Sequence, residues 1–235
     1  MKLFCFPYAG ASATVYARWR RCLPDWLEVK PVELPGRGMR FDEPPQSDLN
    51  ALAGQLANEL RPATGGRYAL FGHSLGALLA LEVAHRLAAD PGGTPSGLFV
   101  SGTHAPSRRD TTRYARLRTD RELIAELRRL NGTPPEVLDN PEFLALTLPV
   151  LRADFALCAD YRHRSRPPLG CALHVFGGTR DETTPDTLGA WREETHGDFF
   201  LDILDGDHFF IRQREDEVLG LIRGYAERLA GGERP

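Results

Sequence analysis

A serine stands between two glycines in the stretch Gly72-His73-Ser74-Leu75-Gly76, where an apolar run meets an apolar helix. Gly-x-Ser-x-Gly is typical of a strand that turns tightly into a helix and lifts the serine above a sheet. The glycines leave room where a side chain would collide with neighbouring backbone. The first N–H groups of the helix have no intrahelical partner. We therefore predict that Ser74 is a nucleophile and that the N–H of Leu75 stabilises an oxyanion. A glycine-rich turn with a buried serine is the simpler alternative.

Two further residues that suit acyl-transfer chemistry follow predicted strands. Asp181 comes after a strand that ends near Phe176, and His208 comes after the strand Phe199–Leu204. Parallel strands place their carboxyl ends at one edge of a sheet, so both side chains can meet Ser74 there. The chain order serine, aspartate, histidine is that of α/β-hydrolases, in which histidine moves the proton and aspartate orients the histidine. We predict that these three residues form a catalytic triad.

Other titratable side chains compete for these roles. Asp207 is the rival acid, but adjacent residues on extended backbone point apart, so Asp207 is poorly placed to meet the ring of His208. His104 and His174 are rival bases. His174 lies within a strand and is expected to be packed or at a sheet edge. His104 is expected to line the pocket, and His73 to orient the site or form its wall.

The apolar pattern predicts the elements that must bring these residues together. Short apolar runs alternate with helical periodicities, which indicates a mostly parallel sheet flanked by helices. The predicted strands are Leu3–Phe6, Trp26–Leu34, the run before Gly72, Leu98–Ser101, Ala172–Phe176 and Phe199–Leu204. Helices are predicted over Leu49–Leu60, over Ala77–Ala88 and from Val218 onwards. Ser47 is expected to cap the first of them. The predicted fold class is α/β, with the arrangement of an α/β-hydrolase.

The first predicted strand leads into Pro7-Tyr8-Ala9-Gly10-Ala11, a stretch too small and glycine-containing to continue a strand. In α/β-hydrolases the loop at this place supplies the second backbone donor to the oxyanion. A small residue beside a glycine lets the backbone come close to a substrate. We predict that the N–H of Ala9 is this donor. A simple turn is the alternative.

The pattern changes between residues 107 and 166, where helix follows helix with no convincing strand. Thr119 and Glu122 have the spacing of a capping box, Asn131-Gly132 should stop that helix, and Asn140-Pro141 should start the next. Long insertions in compact folds are commonly functional. We predict that residues 107–166 form a helical lid inserted in one domain that spans residues 1–235. An insertion that only pads the core is the alternative.

The overall composition is that of a globular protein. Of the 235 residues, 42% are hydrophobic and 26% are charged, and the formal net charge is -3. No general affinity for nucleic acid or membrane follows from this balance. The N-terminal apolar run is too short for a signal peptide, and no run approaches the roughly 18 apolar residues that span a bilayer. We therefore expect a cytoplasmic protein. The four cysteines are scattered without metal-like spacing, so we expect no metal site.

Charge separates the predicted lid from the rest of the chain. Residues 107–166 contain 12 arginines and 9 acidic residues, a net charge of +3, whereas the remainder carries -6. An acidic partner would be attracted to the lid side. The arginines expected to form this basic face are Arg108, Arg109, Arg128 and Arg129. A solvated helical face is the alternative.

Five motifs are spread over nearly the whole chain. They are Phe6-Pro7-Tyr8-Ala9-Gly10, Leu34-Pro35-Gly36-Arg37, Gly72-His73-Ser74-Leu75-Gly76, Leu151-Arg152-Ala153-Asp154-Phe155 and Gly206-Asp207-His208-Phe209-Phe210. Together they resemble the motif series of type II thioesterases, the stand-alone editing enzymes of polyketide and nonribosomal peptide assembly lines. Ala11 departs from the family, which often has a second glycine there.

This resemblance implies a specific activity and specific partners. It implies hydrolysis of acyl thioesters from the phosphopantetheine arm of carrier proteins, which clears stalled or mis-primed chains, and it implies a mobile helical lid. The substrate would bring the phosphopantetheine, so no cofactor of the enzyme's own is expected. Acyl or peptidyl carrier domains are the expected partners, and we expect the chain to act as a monomer.

Two other functions fit parts of the same sequence. A general serine esterase or lipase on free small esters would use the same triad, because triad geometry does not encode the leaving group. A non-catalytic carrier-binding scaffold would not need to keep Ser74, Asp181 and His208 together. Activity on an acylated carrier protein compared with a free ester distinguishes the three functions.

Overall fold

In the computed structural model, which describes residues 1–117 and 119–231, one sheet contains six parallel strands in the order β2-β1-β3-β4-β5-β6. The strands are β1 Lys2–Phe6, β2 Glu28–Pro31, β3 Tyr68–His73, β4 Gly97–Ser101, β5 Ala172–Gly178 and β6 Phe199–Leu204. β3, which leads to Ser74, lies between β1 and β4. The predicted mostly parallel sheet is confirmed.

The helices are α1 Trp19–Cys22, α2 Leu49–Leu60, α3 Leu75–Ala88, α4 Thr112–Ala115, α5 Asp120–Leu130, α6 Pro135–Leu138, α7 Pro141–Asp160, α8 Pro185–Gly189, α9 Phe210–Gln213 and α10 Glu215–Gly231. Helices α1 to α8 lie in the connections between strands, and α9 and α10 follow the last strand. Parallel strands need such crossover connections, because a tight hairpin can only join antiparallel strands.

Side chains that alternate along the strands build a core on each face of the sheet. Phe4 and Phe6 of β1 pack on the face covered by α2 and α3. Leu3 and Cys5 of the same strand pack on the opposite face, against α1 and α10. α3 is buried on nearly every side, as its continuous apolar sequence predicts. The turn at Ser74 therefore leads into a helix that is buried on nearly every side.

Some predicted boundaries differ from the structure. β2 spans Glu28–Pro31 rather than Trp26–Leu34. The N–H of Leu27 donates to the carbonyl oxygen of Pro24 at 2.8 Å, so the preceding residues form a turn. The cap of α2 is Asp48, not Ser47, because the Asp48 carboxylate accepts from the N–H groups of Asn50 and Ala51.

Four helices, α4 to α7, and no strand occupy the described part of residues 107–166. Thr119 and Glu122 form the predicted capping box, and Asn131 ends α5 with a left-handed φ of 56°. Asn140 caps α7 through the N–H groups of Glu142 and Phe143. The segment has a small core of its own, which consists of Leu123, Leu148, Leu151 and Phe155. Within residues 1–117 and 119–231, no helix combines the length and the apolar character that crossing a membrane requires.

Candidate active site

Ser74 occupies a strained backbone position between β3 and α3. Its φ is 55° and its ψ is -117°, a conformation that non-glycine residues rarely adopt and that is typically found at functional sites. A Cβ at Gly72 would collide with the carbonyl of Gly76, and a Cβ at Gly76 would collide with the carbonyl of Phe6. The N–H of Ser74 donates to the carbonyl oxygen of Ser101 at 2.8 Å. The tight turn predicted from the two glycines is therefore present.

Asp181 and His208 meet in the loops that follow β5 and β6. The Nδ1 of His208 lies 3.1 Å from Oδ1 and 3.2 Å from Oδ2 of Asp181. The ring of His208 is largely buried, with 8% of the residue exposed. Because the carboxylate can only accept, the Nδ1 must carry the proton, and Nε2 is then left as the basic nitrogen.

The Asp181 carboxylate is oriented by its own loop as well. Oδ1 accepts from the N–H of Glu182 at 2.8 Å, and Oδ2 accepts from the hydroxyl of Thr183 at 3.1 Å. Burial raises the pKa of Asp181, but the hydrogen bond and charge of His208 together with the Glu182 N–H outweigh it and hold the pKa below its usual value. The group is therefore ionised where it orients the imidazole.

Backbone hydrogen bonds join the Asp181 loop to the His208 loop. The N–H of Thr179 donates to the carbonyl of Leu204 at 2.9 Å, and the N–H of Arg180 donates to the carbonyl of Gly206 at 2.8 Å. These bonds extend the β5–β6 pairing beyond the ends of the strands. The distance between the carboxylate and the imidazole is thus set by the sheet rather than by flexible side chains.

His73 connects the serine turn to the catalytic imidazole candidate. Its ring is fully buried and its centroid lies 5.0 Å from that of His208. Its Nδ1 lies 2.9 Å from the hydroxyl oxygen of Ser101. Burial, followed by the nearby charge of His208, holds the pKa of His73 well below its usual value. His73 is therefore a buried, neutral residue that packs between the Ser74 turn and the ring of His208.

The rival residues lie in other environments. Asp207 accepts from the N–H of Phe209 at 2.8 Å and from the amide of Asn131 at 3.2 Å, not from His208. His174 is buried within β5, stacked on Phe99 and Phe200, away from the loops at the strand ends. His104 is half-buried, and burial lowers its pKa. The geometry favours Asp181 over Asp207 as the partner of the imidazole.

Residues Tyr8 to Ala11 form a tight β-turn at the end of β1. The N–H of Ala11 donates to the carbonyl of Tyr8 at 3.0 Å, and Gly10 has a φ of 77°. A positive φ at the third turn position requires glycine or a similar residue. In the described hydrogen bonds, the N–H groups of Ala9 and Leu75 have no protein acceptor. The role of both N–H groups as oxyanion donors stays a prediction.

A cavity of about 270 Å³ lies between this turn and the helical segment. Its lining includes Ala9, Gly10, Leu127, Phe143, Leu151 and Phe209. The walls are mainly apolar, so the cavity suits an aliphatic group rather than a charged one.

Ion pairs that the sequence did not predict join the helical segment to the Asp181 loop. Arg129 lies 3.0 Å from Glu126 within α5 and 3.3 Å from Glu182, the residue after Asp181. Arg113 also pairs with both carboxylates. The pairs that Arg113 and Arg129 form with Glu182 join distant parts of the sequence and leave no local signal.

The arginines expected to form a basic face are mostly engaged elsewhere. Arg108 pairs with Glu193, and Arg128 pairs with Asp139. Arg109 is half-buried, donates to the hydroxyl of Thr103 and lies over the ring of Tyr114. Three of the four are thus paired with acidic residues, and the fourth is partly inside the fold.

A sequence profile of the thioesterase domain matches residues 1–225. The chain belongs to the thioesterase family. It is 40% identical over 236 residues to the linear gramicidin dehydrogenase LgrE of Brevibacillus parabrevis, which covers 99% of this chain and 90% of LgrE. It is 38% identical over 220 residues to the gramicidin S biosynthesis protein GrsT of Aneurinibacillus migulanus, at 93% and 86% coverage. The structure of the type II thioesterase BorB from the borrelidin biosynthetic cluster matches with a TM-score of 0.87 and 40% identity, at 97% and 92% coverage.

These similarities confirm the resemblance to type II thioesterases and the α/β-hydrolase fold. This thioesterase is a hydrolase of thioester bonds. Thioesterases of the family need no cofactor of their own. LgrE is named a dehydrogenase, yet the Gly-x-Gly-x-x-Gly sequence that typically binds dinucleotides does not occur in this chain. Among the described residues, no group of three or more His, Cys, Asp or Glu side chains is arranged to hold a metal ion.

Proposed function

We propose that this thioesterase hydrolyses acyl groups from the phosphopantetheine arm of carrier proteins, and so removes aberrant or stalled chains in polyketide or nonribosomal peptide biosynthesis. The observation that carries the proposal is the buried Asp181–His208 pair together with the turn at Ser74, whose φ is 55°. His73, the residue before Ser74, has its ring centroid 5.0 Å from that of His208. Relatives named for gramicidin S biosynthesis and for the borrelidin cluster support the pathway class.

In this mechanism the hydroxyl oxygen of Ser74 attacks the thioester carbonyl while Nε2 of His208 takes its proton. The C–S bond then breaks, and the imidazolium returns the proton to the departing thiolate of phosphopantetheine. Water, deprotonated by the same nitrogen, hydrolyses the acyl-serine and restores the hydroxyl. Asp181 keeps Nδ1 protonated throughout and stabilises the positive charge on the ring.

Both tetrahedral intermediates place a negative charge on the former carbonyl oxygen. We assign its stabilisation to the N–H groups of Ala9 and Leu75. The Leu75 N–H also lies at the start of α3, where the helix dipole favours negative charge. Donors fixed by the fold need no rearrangement when the charge develops, which is why they lower the barrier.

The helical segment 107–166 serves as a lid over the acyl group in this proposal. The apolar cavity of about 270 Å³ between the Ala9 turn and helices α5 and α7 supports this assignment, because residues from both sides line it. The carrier protein itself stays outside, and its phosphopantetheine arm delivers the thioester. We place this reaction in the cytoplasm.

The test is intact-protein mass spectrometry of carrier proteins that bear different acyl groups. Wild-type enzyme should remove the acyl mass from the carrier, and Ser74→Ala should slow this by about 10⁴-fold or more while its folding is unchanged. Near-wild-type hydrolysis by folded Ser74→Ala would exclude the mechanism. Faster turnover of a free ester than of the acyl carrier would favour a general esterase, and no turnover of either would favour a scaffold.

A further inference from the structure

A buried ion pair lies directly behind the turn that carries Ala9. Asp154 of α7 is 0% exposed, and Arg37, from the loop after β2, is 7% exposed. The Nη1 of Arg37 lies 2.6 Å from Oδ2 of Asp154, and its Nη2 lies 2.8 Å from Oδ1. This is a bidentate pair, the geometry in which an arginine holds a carboxylate most rigidly.

Both members of the pair also bind the backbone of the turn. The N–H of Gly10 donates to Oδ2 of Asp154 at 2.7 Å. The Nη1 of Arg37 donates to the carbonyl oxygen of Ala11 at 3.4 Å, and its Nε donates to the carbonyl of Pro35 at 3.3 Å. Leu151 lies one helical turn before Asp154 and packs against Gly10 of the same turn. A Cβ added at Gly10 would lie 2.6 Å from the Cδ2 of Leu151.

These contacts determine where the N–H of Ala9 points. The Tyr8–Ala9 peptide carries both the carbonyl that accepts from the Ala11 N–H and the N–H of Ala9. Because a peptide unit is planar, fixing its carbonyl also fixes its N–H. The Tyr8 carbonyl is fixed only while the turn keeps its shape. Asp154 stabilises that shape by binding the N–H of Gly10, and Arg37 does so by binding the carbonyl of Ala11.

We propose that Asp154 and Arg37 are positioning residues of the oxyanion hole, acting through the Gly10 N–H and the Ala11 carbonyl to aim the N–H of Ala9. This inference rests on the proposed function, in which Ala9 is an oxyanion donor. It gives a role to two motifs, Leu34-Pro35-Gly36-Arg37 and Arg152-Ala153-Asp154-Phe155, that lie outside the catalytic triad. It also makes the buried half of α7 a fixed support of the site rather than a moving part.

Two double variants separate the hydrogen bond to Gly10 from the buried charges. Arg37→Met with Asp154→Asn removes both charges but keeps a side-chain oxygen that can accept from the Gly10 N–H. Arg37→Met with Asp154→Leu removes the charges and that acceptor. Removing both charges together avoids an unpaired buried ion, which would itself strongly destabilise the fold. Arg166→Met serves as a control, because Arg166 pairs with buried Glu82 of α3, which keeps a second partner in Arg86.

The measurements are kcat and KM on a small neutral acyl thioester, far below the thermal unfolding midpoint of each variant. Loss of an oxyanion donor typically lowers kcat by about 10²–10³-fold, because the contact forms only in the transition state. We therefore expect Arg37→Met with Asp154→Leu to lower kcat by about 10²-fold with KM changed by less than about threefold. The variant with Asp154→Asn should recover at least about tenfold of this loss, and Arg166→Met should keep the wild-type kcat.

Equal kcat for the two folded double variants, or wild-type kcat for both, would overturn the positioning role. A loss in Arg166→Met as large as that in the Leu variant would also overturn it, since any buried ion pair would then have the same effect. Ser74→Ala, assayed in parallel, identifies the other failure. If Ser74→Ala is inactive while both double variants are fully active, only the positioning role fails. If Ser74→Ala stays active, the proposed function fails, and this inference fails with it.

Discussion

Ser74 and Asn131 are the non-glycine residues with positive φ in the described part of the chain. Asn131 ends a helix, where an amide side chain tolerates this conformation. No local feature of Ser74 explains its positive φ. The conformation persists because the surrounding backbone leaves no room for a different one. The carbonyls of Phe6 and Gly76 lie so close to the flanking glycines that no side chain fits there. Strain at this single residue exposes the hydroxyl at the end of β3.

At the residue scale, mutation of Asp181 and Asp207 tests which of them is the catalytic acid. Asp181→Asn keeps the shape but allows the wrong imidazole tautomer, so we expect kcat to fall by about 10⁴-fold, by analogy with serine proteases. Asp207→Asn is the matched control, because Asp207 is adjacent to His208 but accepts from Phe209 and Asn131 instead. It should change kcat by less than about tenfold. Steady-state kinetics on a small thioester measure both, and the reverse ranking would make Asp207 the acid.

At the scale of elements, α7 consists of two unlike halves. Before Pro149 its residues are mostly exposed or half-buried, and Phe143 and Thr147 line the cavity of about 270 Å³. After Pro149 the helix is mostly buried, and Leu151 and Asp154 hold the Ala9 turn. The helix continues through the proline, which cannot donate the usual backbone hydrogen bond. If the lid opens, the first half is therefore the part that can move without disturbing the oxyanion hole.

The packing of β5 against α10 depends on an uncharged histidine. The ring of His174 stacks on Phe99 and Phe200 and lies 4.0 Å from the ring of Tyr225 of α10, with 2% of the residue exposed. Neither of its ring nitrogens has a hydrogen-bond partner in the described structure. Burial, together with the charge of Arg228, lowers the pKa of His174 to about 3.

This packing predicts an acid-sensitive stability. Below the unfolded-state pKa of about 6.5, the unfolded chain binds a proton that the folded chain excludes. Stability from neutral His174 is therefore present above that pH and is lost as pH falls toward about 3. The slope for one such group is about 1.4 kcal/mol per pH unit. His174→Phe should remove the pH dependence that His174 contributes. The free energy of unfolding of this variant, measured by urea denaturation from pH 7 to 4, should therefore fall less steeply than that of the wild type. Parallel curves would assign the acid sensitivity to other groups.

At the scale of the whole molecule, charge is distributed less simply than the sequence count indicates. The +3 of residues 107–166 remains true, but Arg108, Arg128 and Arg129 are neutralised by neighbouring acids. No ion pair in the described part of the chain includes Arg116 or Arg121, both exposed beside α4 and α5. Arg162 and Arg164 are likewise exposed and outside the ion pairs of the described chain. We propose Arg116 and Arg121 as further groups that an acidic carrier protein would meet, beside the four arginines first expected.

Charge reversal tests this docking surface. Arg116→Glu with Arg121→Glu should lower kcat/KM for an acyl carrier protein by about tenfold at low salt, because steering acts on association. Hydrolysis of a small neutral thioester should be unchanged. Arg20→Glu with Arg21→Glu is the matched control, with the same charge change on exposed residues of α1. The difference between the two double variants should shrink as salt is raised. Equal losses in both would indicate a general field effect, and no loss on the carrier would exclude the surface.

The sequence by itself determined the features whose cause is local. The glycines around Ser74, the apolar runs, the capping box at Thr119 and the order of Ser74, Asp181 and His208 all act within one element or its ends. They predicted the parallel sheet, the bounds of α2, both ends of α5, the start of α7, and the strand ends that Ser74, Asp181 and His208 follow. Even there, the cap of α2 was wrong by one residue, since Ser47 and Asp48 are both good caps and only the helix register selects between them.

Tertiary structure alone decided which distant groups touch. Arg37 and Asp154 are 117 residues apart, and Arg129 and Glu182 belong to different loops and helices. Nothing in local spacing marks such pairs, because their energies depend on burial and on geometry that exist only after the chain has folded. The dependence on the folded geometry also explains why the sequence did not predict which arginines are paired. Counting arginines gives a net charge, but whether each one faces solvent, an acid or an aromatic ring depends on how the helices pack.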